Sequence, residues 1–453
     1  MRPQWENGHG VKERILINAD LVLDTPTHIG CSEGKDLADM QLLLYEIDNL
    51  PLLMGSSIAG ALRAYLERAG FKEEASKIFG NMDKSKSCPS IVFVEDSFGR
   101  LPDGVQVEVR DGVAISLNTG TAIDTAKFDM ELLPEGTVFP LSFEFMVLEN
   151  DCYADTLGYF VSTLKALEEG EIPIGRRKRR GLGRCHAKNF KVYRYNMSKP
   201  EGLIGWLEKD KNEHNVKGID DLPIKNIGGD KDKFVMKASF EIDGSILIGS
   251  QAVNGNDPDI VHIHSFRDGS NTPILSGTSL AGSLRSRAYK IINTIGADVA
   301  IVNEIFGTPR EEKKDRRASR LWVYETTIDD SKQLVQNRIK IDRFTGGAYS
   351  GALFNEQPIF AGKVEVKLAL DGAQEREIGL LLLLLKDLWT SNLPIGRGTA
   401  IGRGRFKGLK AELDYNGDYW RIEQRGEKIN VRGSVKRLES FVQALWRREN
   451  NGQ

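Results

Sequence analysis

The sequence predicts an α+β protein built from two tandem ferredoxin-like (RRM-like) domains, because it repeats itself at long range. The block Pro-Ile-Gly-Arg at 173–176 returns at 394–397, and a second glycine and arginine block follows it in both places. A Gly-Ser/Thr-Ser block at 55–63 returns at 277–285, with nearly the same separation between the copies. A repeat this long is a domain duplication, since each copy is large enough to bury its own core.

Shorter matches lie between these blocks in the same order. Ile-Phe-Gly at 78–80 returns at 305–307, and the apolar segment 91–95 is matched with 321–325. The duplication predicts four parts of the chain: a first domain over 1–195, a linker over 196–232, a second domain over 233–427 and a C-terminal helical tail over 428–453.

Each copy reads as β-α-β-β-α-β. In the first copy, apolar residues recur at helical spacing behind a serine cap in 56–68, whereas 137–147 alternates as a strand does. The predicted elements of the first copy are 14–23, 56–68, 90–95, 137–147, 155–167 and 184–195. Those of the second copy are 234–242, 279–292, 320–326, 362–368, 374–389 and 404–413. This order is typical of a four-stranded antiparallel sheet backed by two helices.

Two long insertions separate the second and third strands of the copies, at 98–136 and 328–361. Connections of this length in a compact domain are unusual, so we expect the two insertions to be functional or to bind a partner. The linker is polar, with a short helix predicted at 203–209. The tail carries an amphipathic stripe over 435–446, which we expect to cover an exposed sheet edge.

The composition excludes several classes of protein. The chain has 62 basic and 64 acidic residues, so its overall charge does not indicate a nucleic-acid binder. Its 4 cysteines have no paired spacing and only 6 histidines accompany them, so neither a disulfide framework nor a zinc site is expected. No organic cofactor is expected either. The start of the chain does not resemble a signal peptide, and the apolar run 380–385 is too short to span a bilayer. A cytoplasmic protein without membrane contact is predicted.

Charge is concentrated at one place, the basic run 172–184, which contains no acidic residue. A basic run alone is usually a solvated loop, but this one lies inside the repeated glycine framework. Glycines can bring backbone close to a ligand, and N–H groups with arginines suit phosphate oxygens. The candidate RNA-binding residues of the two frameworks are Gly175, Arg176, Arg177, Arg179, Arg180, Gly181, Gly183 and Arg184, and Gly396, Arg397, Gly402, Arg403, Gly404 and Arg405.

The repeated block at the first helix of each copy is a second candidate site. A helix start leaves backbone N–H groups free, which favours an anion, and an arginine from the following turns can support it. An ordinary cap packed on the sheet would look the same in sequence. The candidate residues are Gly55, Ser56, Ser57 and Arg63, and Gly277, Thr278, Ser279 and Arg285.

These motifs resemble the RAMP superfamily, the repeat-associated proteins of CRISPR systems. The glycine framework is similar to the glycine-rich loop of that family. The helix-opening block resembles Pro-Gly-Ser-Ser-Leu-Lys-Gly of the backbone subunits of type III effectors. The segment 341–354, with Arg343, resembles the thumb hairpin that in those subunits wedges between guide and target and displaces a base pair. The resemblance covers both copies and implies fused backbone subunits like those of the type III-D group.

An acidic position in the loop after the first strand matches between the copies. Asp39 precedes Gly55, and Asp259 precedes Gly277, at nearly equal spacing, with a short insertion at Gly269-Ser270 in the second copy. The resemblance places the catalytic aspartate of target-cleaving subunits here, so Asp39 and Asp259 are the candidate catalytic residues. Asp36 and Asp257 compete with them. A carboxylate here can hold a divalent cation, Mg²⁺ or Mn²⁺, shared with the RNA, or can orient the nucleophile.

The resemblance therefore implies an RNA-guided endoribonuclease that acts within a complex. Its expected partners are a CRISPR guide RNA, a single-stranded target RNA and other effector subunits. Two alternatives stay open: a scaffold that binds RNA without cutting it, with one or both aspartates inactive, and a guide-processing endonuclease with His28 as general base. The second copy has Leu247 at the position of His28, and long insertions have no use in a hairpin-cutting enzyme.

Overall fold

The computed structural model describes the greater part of the chain. The described residues are 10–30, 40–81, 87–116, 121–148, 153–210, 215–216, 218–228, 232–251, 258–308 and 317–446. They form two compact units. Unit 1 comprises Met1–Val109, Met130–Lys178 and Gly183–Gly229. Unit 2 comprises Arg110–Asp129, Arg179–Leu182 and Asp230–Gln453.

The first half of the chain forms a mixture of strands and helices. Its elements are β1 (Val11–Leu23), β2 (Leu52–Leu53), α1 (Gly55–Arg68), α2 (Lys72–Phe79), β3 (Val92–Val94), β4 (Ser97–Phe98), β5 (Glu108–Ile115), β6 (Ala122–Leu132), β7 (Val138–Leu148), α3 (Tyr153–Glu168), β8 (Cys185–Asn196), α4 (Pro200–Leu207) and β9 (Asn215–Val216).

The second half repeats this series with additional strands. Its elements are β10 (Phe234–Asp243), β11 (Ser245–Ile246), β12 (Gly249–Gln251), β13 (Ile260–His262), β14 (His264–Arg267), β15 (Ser270–Leu275), α5 (Gly277–Ile295), α6 (Ala300–Phe306), β16 (Leu321–Val323), β17 (Thr326–Thr327), β18 (Lys332–Gln333), β19 (Gln336–Ile341), β20 (Ala348–Gln357), β21 (Ile359–Phe360), β22 (Lys363–Leu370), α7 (Glu375–Trp389), β23 (Arg405–Tyr415), β24 (Asp418–Arg425), β25 (Lys428–Arg432) and α8 (Val435–Ala444).

The main sheet of each half has the same central order. Strands follow one another as β3-β7-β1-β8-β9 in the first sheet and β16-β22-β10-β23-β24-β25 in the second, all antiparallel. The four predicted strands of each copy therefore pair in the order 2-3-1-4, as in the split β-α-β arrangement. The predicted α+β class with antiparallel sheets is confirmed.

Alternating burial explains why β1 is a strand with one face in the core. Ile15, Ile17, Ala19, Leu21 and Leu23 are buried, and the residues that alternate with them are more exposed. Helices α1 and α3 cover this face, and Phe160 of α3 packs on the aromatic residues of β7 at ring-centroid distances of 5.6 and 5.9 Å. Large buried aromatic rings supply much of the energy of such a core.

The register of the strands corrects one sequence match. Val92 lies opposite Phe145 in the first sheet, and Leu321 lies opposite Leu370 at the same place in the second. Residue 92 therefore corresponds to residue 321, whereas the sequence comparison had aligned 91 with 321. The error arose because both segments are short apolar runs that align nearly as well one residue apart. In the corrected register, Asp96 corresponds to Glu325.

The structure adds elements that the sequence analysis did not predict. A second short helix, α2 or α6, follows the first helix of each half. The predicted linker helix begins and ends earlier, as α4.

The predicted boundary at 427–428 falls inside the β24–β25 hairpin, which extends the second sheet. Helix α8 packs with Phe441 fully buried against Tyr415 and Trp420. Phe441 and Leu445 of the tail stripe thus belong to the core of unit 2, whereas Val435 and Trp446 at its ends are exposed. Among the described helices, none is long and apolar enough to cross a membrane.

Candidate nucleic-acid interface

A cleft of about 310 Å³ in unit 1 brings together three segments singled out by the sequence. Its walls come from the chain after β1, from the first turns of α1 and from the glycine loop before β8. Arg176, Lys178, Ser57 and the ring of His28 line it. Cationic groups beside a hydroxyl and exposed backbone suit a phosphate-bearing ligand. Lys178 is not part of the repeated motif, because the second copy has Thr399 at that position.

The first glycine of each framework is required by the protein's own packing. Gly175 and Gly396 have positive φ angles of +78° and +95°. A Cβ on Gly175 would overlap the carbonyl oxygen of His28, and a Cβ on Gly396 would overlap that of Leu247. In the first repeat, the N–H of Arg176 donates to the same carbonyl at 3.0 Å. These glycines let the loop pack on the segment that follows the first strand.

The last glycine of each framework closes the loop on itself. Gly183 and Gly404 have φ angles of +78° and +74°. Ile174 and Ile395 donate their N–H groups to the carbonyls of these glycines at 2.8 and 2.9 Å. A Cβ at either glycine would overlap the carbonyl oxygen of the same isoleucine. The frameworks therefore have the same backbone geometry in both repeats, as the constant spacing predicted.

This geometry predicts different effects for two neighbouring glycines. Gly402 also has positive φ, but a Cβ there would meet nothing within 4 Å. Gly402→Ala is expected to lower the free energy of unfolding by about 1 kcal/mol, the strain of a left-handed alanine. Gly404→Ala adds a backbone overlap and is expected to lower it by about 3 kcal/mol. Urea unfolding measures both, and equal losses would contradict the packing explanation.

Helix α1 begins one residue before the predicted Ser56, and helix α5 begins two residues before the predicted Ser279. Helix α1 begins at Gly55 after Met54, whose side chain makes no capping bond. The carboxylate of Asp96 instead accepts from the N–H of Gly55 at 2.7 Å. Helix α5 begins at Gly277 and is capped by Ser276. The predicted serine cap is thus wrong for α1, because a carboxylate distant in sequence takes that place.

The hydroxyl residues of this block differ in exposure between the repeats. Ser56 and Ser57 are exposed, and Ser57 lines the cleft. Thr278 and Ser279 are half-buried, and Ser279 accepts from the hydroxyl of Ser276 at 2.9 Å. Of these two helix starts, only the first therefore presents an open serine face.

The arginine of each block braces the helix pair. Arg63 donates to the carbonyl of Gly80 at 2.9 Å and to Glu67 at 2.8 Å. Arg285 donates to the carbonyl of Gly307 at 3.0 Å. Both arginines thus bind the end of the second helix of their own repeat. From sequence these arginines are expected to contact an anion, since the second helices leave no clear pattern in the sequence.

The basic run divides into two groups with different surroundings. Arg176 and Lys178 line the cleft of unit 1. Arg179 belongs to unit 2, where its guanidinium lies 3.7 Å from the centre of the Trp322 ring and forms an ion pair with Asp371. Because Arg179 is held by an aromatic ring and a carboxylate of the protein, its contacts stabilise the fold.

The remaining residues of the first framework have mixed surroundings. Burial lowers the pKa of Arg180, and the nearby charge of Arg285 lowers it further. Arg177 is half-buried and has a positive φ angle of +56°. Gly181 lies against the backbone of Glu325, and the carbonyl of Arg184 accepts from the chain after β1.

A buried carboxylate organises the second framework. Glu356 in β20 accepts from Arg403 at 2.8 Å, and both residues are buried. Arg338 and Arg397 approach the same carboxylate at 3.1 and 3.6 Å. Arg403, predicted to contact RNA, is therefore occupied by the protein itself, whereas Arg405 is exposed. The first repeat has Leu182 at the position of Arg403. A comparison of the repeats therefore could not predict the ion pair between Arg403 and Glu356.

Antiparallel hairpins occupy both long insertions. Strands β5 and β6 pair in the first insertion, and β19 and β20 pair in the second. The turn of the second hairpin exposes Arg343 and the whole side chain of Phe344. The backbone N–H of Phe344 donates to Asp342 at 2.9 Å, and this bond lowers the pKa of that carboxyl.

Of the four candidate catalytic aspartates, the structure describes one. Asp36, Asp39 and Asp257 lie outside the described residues. The side chain of Asp259 is exposed, and its Oδ2 accepts from the N–H of Asn355 at 2.8 Å. This bond places the carboxylate beside the base of the β19–β20 hairpin.

The described residue directly after each aspartate forms a parallel bridge. Met40, which follows Asp39, forms a parallel bridge with Met130. Ile260, which follows Asp259, forms a parallel bridge with Glu356. The alignment of the two aspartates by spacing stays a prediction.

His28 is a buried neutral histidine. Its Nδ1 donates to the carbonyl of Glu131 at 2.8 Å, and burial, with smaller contributions from Arg176 and Arg177, lowers its pKa. Its Nε2 has no hydrogen-bond partner among the described residues. Leu247, which matches His28 in the second repeat, is also buried.

The described residues contain no group of three potential metal ligands among their histidine, cysteine and acidic side chains. Asp259 can supply one exposed carboxylate oxygen to an ion, which fits a cation whose other ligands are water and phosphate. Cys88 and Cys185 are free thiols, the first exposed and the second buried.

Comparison with known proteins agrees with the repeated architecture. A model of the RAMP superfamily matches the chain in two stretches, residues 20–186 and 228–407. The chain is also similar to the protein named CRISPR system Cms endoribonuclease Csm3 of Methanothermobacter thermautotrophicus, at 26% identity over 220 residues, which cover 40% of this chain and 86% of that protein. That match is about as long as one repeat. Because the two family matches together span most of the sequence, the chain belongs to the RAMP superfamily and carries two copies of its domain.

Proposed function

We propose that the chain is a guide-RNA-binding backbone subunit of a type III CRISPR ribonucleoprotein and that it cleaves complementary target RNA. The observation that carries the proposal is the glycine framework, closed by the same hydrogen bonds in both repeats and bordered in the first by a cationic cleft. The name of the similar protein, an endoribonuclease of a CRISPR system, supports the same function.

The proposed grip on the guide is made through its backbone. Arg176 and Lys178 supply charge to phosphate oxygens, and Ser57 supplies a hydroxyl donor. Contacts of this kind position RNA without reading its sequence. The sequence would be read by base pairing between guide and target.

The proposed cleavage uses Asp39 and Asp259, one in each repeat. Cutting RNA requires the 2′-hydroxyl to be aligned with the scissile phosphate, and the hairpins would distort the target beside each aspartate to achieve this. Asn355 would orient the carboxylate of Asp259 at the base of its hairpin. A bound divalent cation would stabilise the charge that develops on the phosphate.

The proposed cation predicts a chelator effect. Excess EDTA is expected to stop cleavage of a complementary target while guide and target stay bound, and Mg²⁺ or Mn²⁺ is expected to restore it. Gel analysis of a labelled target, with a filter-binding assay in parallel, measures both quantities. Full cleavage in EDTA would favour metal-free acid–base chemistry and would make His28 the residue to test.

A scaffold that binds RNA without cutting it is the second candidate. The exposed carboxylate of Asp259 favours it, since this residue belongs to no group of three potential metal ligands among the described residues. The complex purified through this chain should then bind a complementary RNA and leave it uncut. The same assay with a non-complementary RNA is the control for contaminating nucleases.

A further inference from the structure

The buried ion pair between Arg403 and Glu356 joins two parts of the second repeat. Arg403 belongs to the glycine framework, and Glu356 belongs to β20 at the base of the hairpin. Arg403 donates to the carboxylate of Glu356 at 2.8 Å, and the two side chains are 4% and 5% exposed. Arg403 also donates to the side-chain oxygen of Gln336 in β19 at 2.7 Å. One guanidinium therefore fixes both strands of the hairpin to the framework.

Glu356 also lies beside the backbone that holds Asp259. Asn355 directly precedes it, and the N–H of Asn355 donates to Oδ2 of Asp259 at 2.8 Å. Ile260, which follows Asp259, forms a parallel bridge with Glu356 itself. Any shift of β20 at Glu356 would therefore move both the donor to Asp259 and the bridge next to this aspartate.

The two members of the ion pair are not equally replaceable. Arg338 and Arg397 also approach the carboxylate of Glu356, at 3.1 and 3.6 Å, so three guanidinium groups share one buried anion. Without Arg403, the carboxylate still has two cations beside it. Without Glu356, the charge of Arg403 stays buried and has lost its carboxylate partner, which is strongly unfavourable.

The first repeat has apolar residues at both positions. Leu182 stands at the position of Arg403. Met130 matches Glu356, because each lies three residues before the bridge between this segment and the chain after the first strand. Leu182 and Met130 are 1% and 3% exposed. The same two places are thus buried in both repeats, and only the second repeat fills them with charges.

We propose that Glu356 is a positioning residue for Asp259. Its ion pair with Arg403 holds β20 against the glycine framework, and β20 in turn presents the N–H of Asn355 to the aspartate. Cleavage at the second repeat would then depend on a carboxylate that itself touches no RNA. This inference rests on the proposed cleavage by Asp259.

The residues of the first repeat provide the variants for a test. Glu356→Met alone leaves the buried charge of Arg403 without its carboxylate. Adding Arg403→Leu replaces the whole ion pair with the two apolar residues of the first repeat, and such a replacement is often neutral or stabilising. The control is Glu365→Met, the same substitution at an exposed position of β22. All variants are made in the full chain and studied in the complex purified through it.

Glu356→Met is expected to slow the cut that Asp259→Asn removes at least about tenfold, because small displacements of a reacting group are costly. The other cut and the affinities for guide and target should stay at their wild-type values. The double variant should restore the slowed cut, and the control should leave both cuts intact. Loss of both cuts in Glu356→Met would indicate a general structural role, and no recovery in the double variant would show that the ion pair is not what matters. Either result would overturn the proposal.

Amide hydrogen exchange tests the position of Asp259 without requiring cleavage. Exchange of the N–H of Asn355 is expected to speed up at least about tenfold in Glu356→Met and to return to the wild-type rate in the double variant. A wild-type rate in Glu356→Met would overturn the proposal. If Asp259→Asn leaves both cuts intact, the proposed cleavage is wrong, and the exchange rates still decide whether Glu356 positions Asp259.

Discussion

Asp259→Asn is expected to abolish one of two cuts in a complementary target RNA, with the rate at that position falling at least about 100-fold. The asparagine side chain keeps an oxygen that accepts from the N–H of Asn355, so the loop should retain its position. The charge needed to hold a cation or to orient the nucleophile is lost. Guide and target binding should therefore be unchanged.

The matched control for this variant is Asp268→Asn. Asp268 is an exposed aspartate further along the same half of the chain, with a positive φ angle of +47° that asparagine tolerates. It should leave both cuts intact. Asp39→Asn is expected to remove the other cut, and the double variant both. If the double variant cuts normally, neither aspartate is catalytic; if one single variant alone loses a cut, the other repeat is a scaffold.

The Arg176→Ala, Lys178→Ala double variant is expected to lower RNA affinity for every guide sequence alike. Both side chains line the cleft of unit 1, and phosphate contacts carry no sequence information. Two lost contacts should reduce the slope of log affinity against log salt by about 1.4. Titrations with labelled RNA at several salt concentrations measure affinity and slope together.

Lys72→Ala with Lys77→Ala removes the same charge from exposed positions on α2 and serves as the control. It should change neither the affinity at moderate salt nor the slope appreciably. If the cleft variant keeps the wild-type slope, the guide lies elsewhere on the protein. Arg179 is not part of this test, because its contacts with Trp322 and Asp371 hold the protein together.

Sequence alone predicted the features that depend on local pattern and spacing. The duplication, four strands of each main sheet and the position of both glycine frameworks follow from repeated blocks and from alternation along segments such as 137–147. Helices α2 and α6 were missed because eight or fewer residues give little periodicity. The one-residue slip at β3 shows that a short apolar run does not define register without its neighbouring strand.

The parts of the site that sequence did not predict depend on contacts between distant residues. Arg403 and Arg179 look like free cations in the sequence, and the structure places them on Glu356 and Asp371. Asp96 caps α1 from 41 residues away. Nothing in the local pattern marks such a pair. The glycine frameworks lie where the sequence predicts them. Their glycines are required because they pack against carbonyl oxygens of the protein itself.

The central claim is that the chain holds a guide RNA within a larger complex, and recovery of that complex tests it most directly. Native mass analysis of the assembly purified through this chain, with sequencing of any RNA released from it, should find companion subunits and a small RNA of CRISPR origin. It should also find that the assembly cuts an RNA complementary to that guide. A chain recovered alone, or with cellular RNAs of no common origin, would contradict the account.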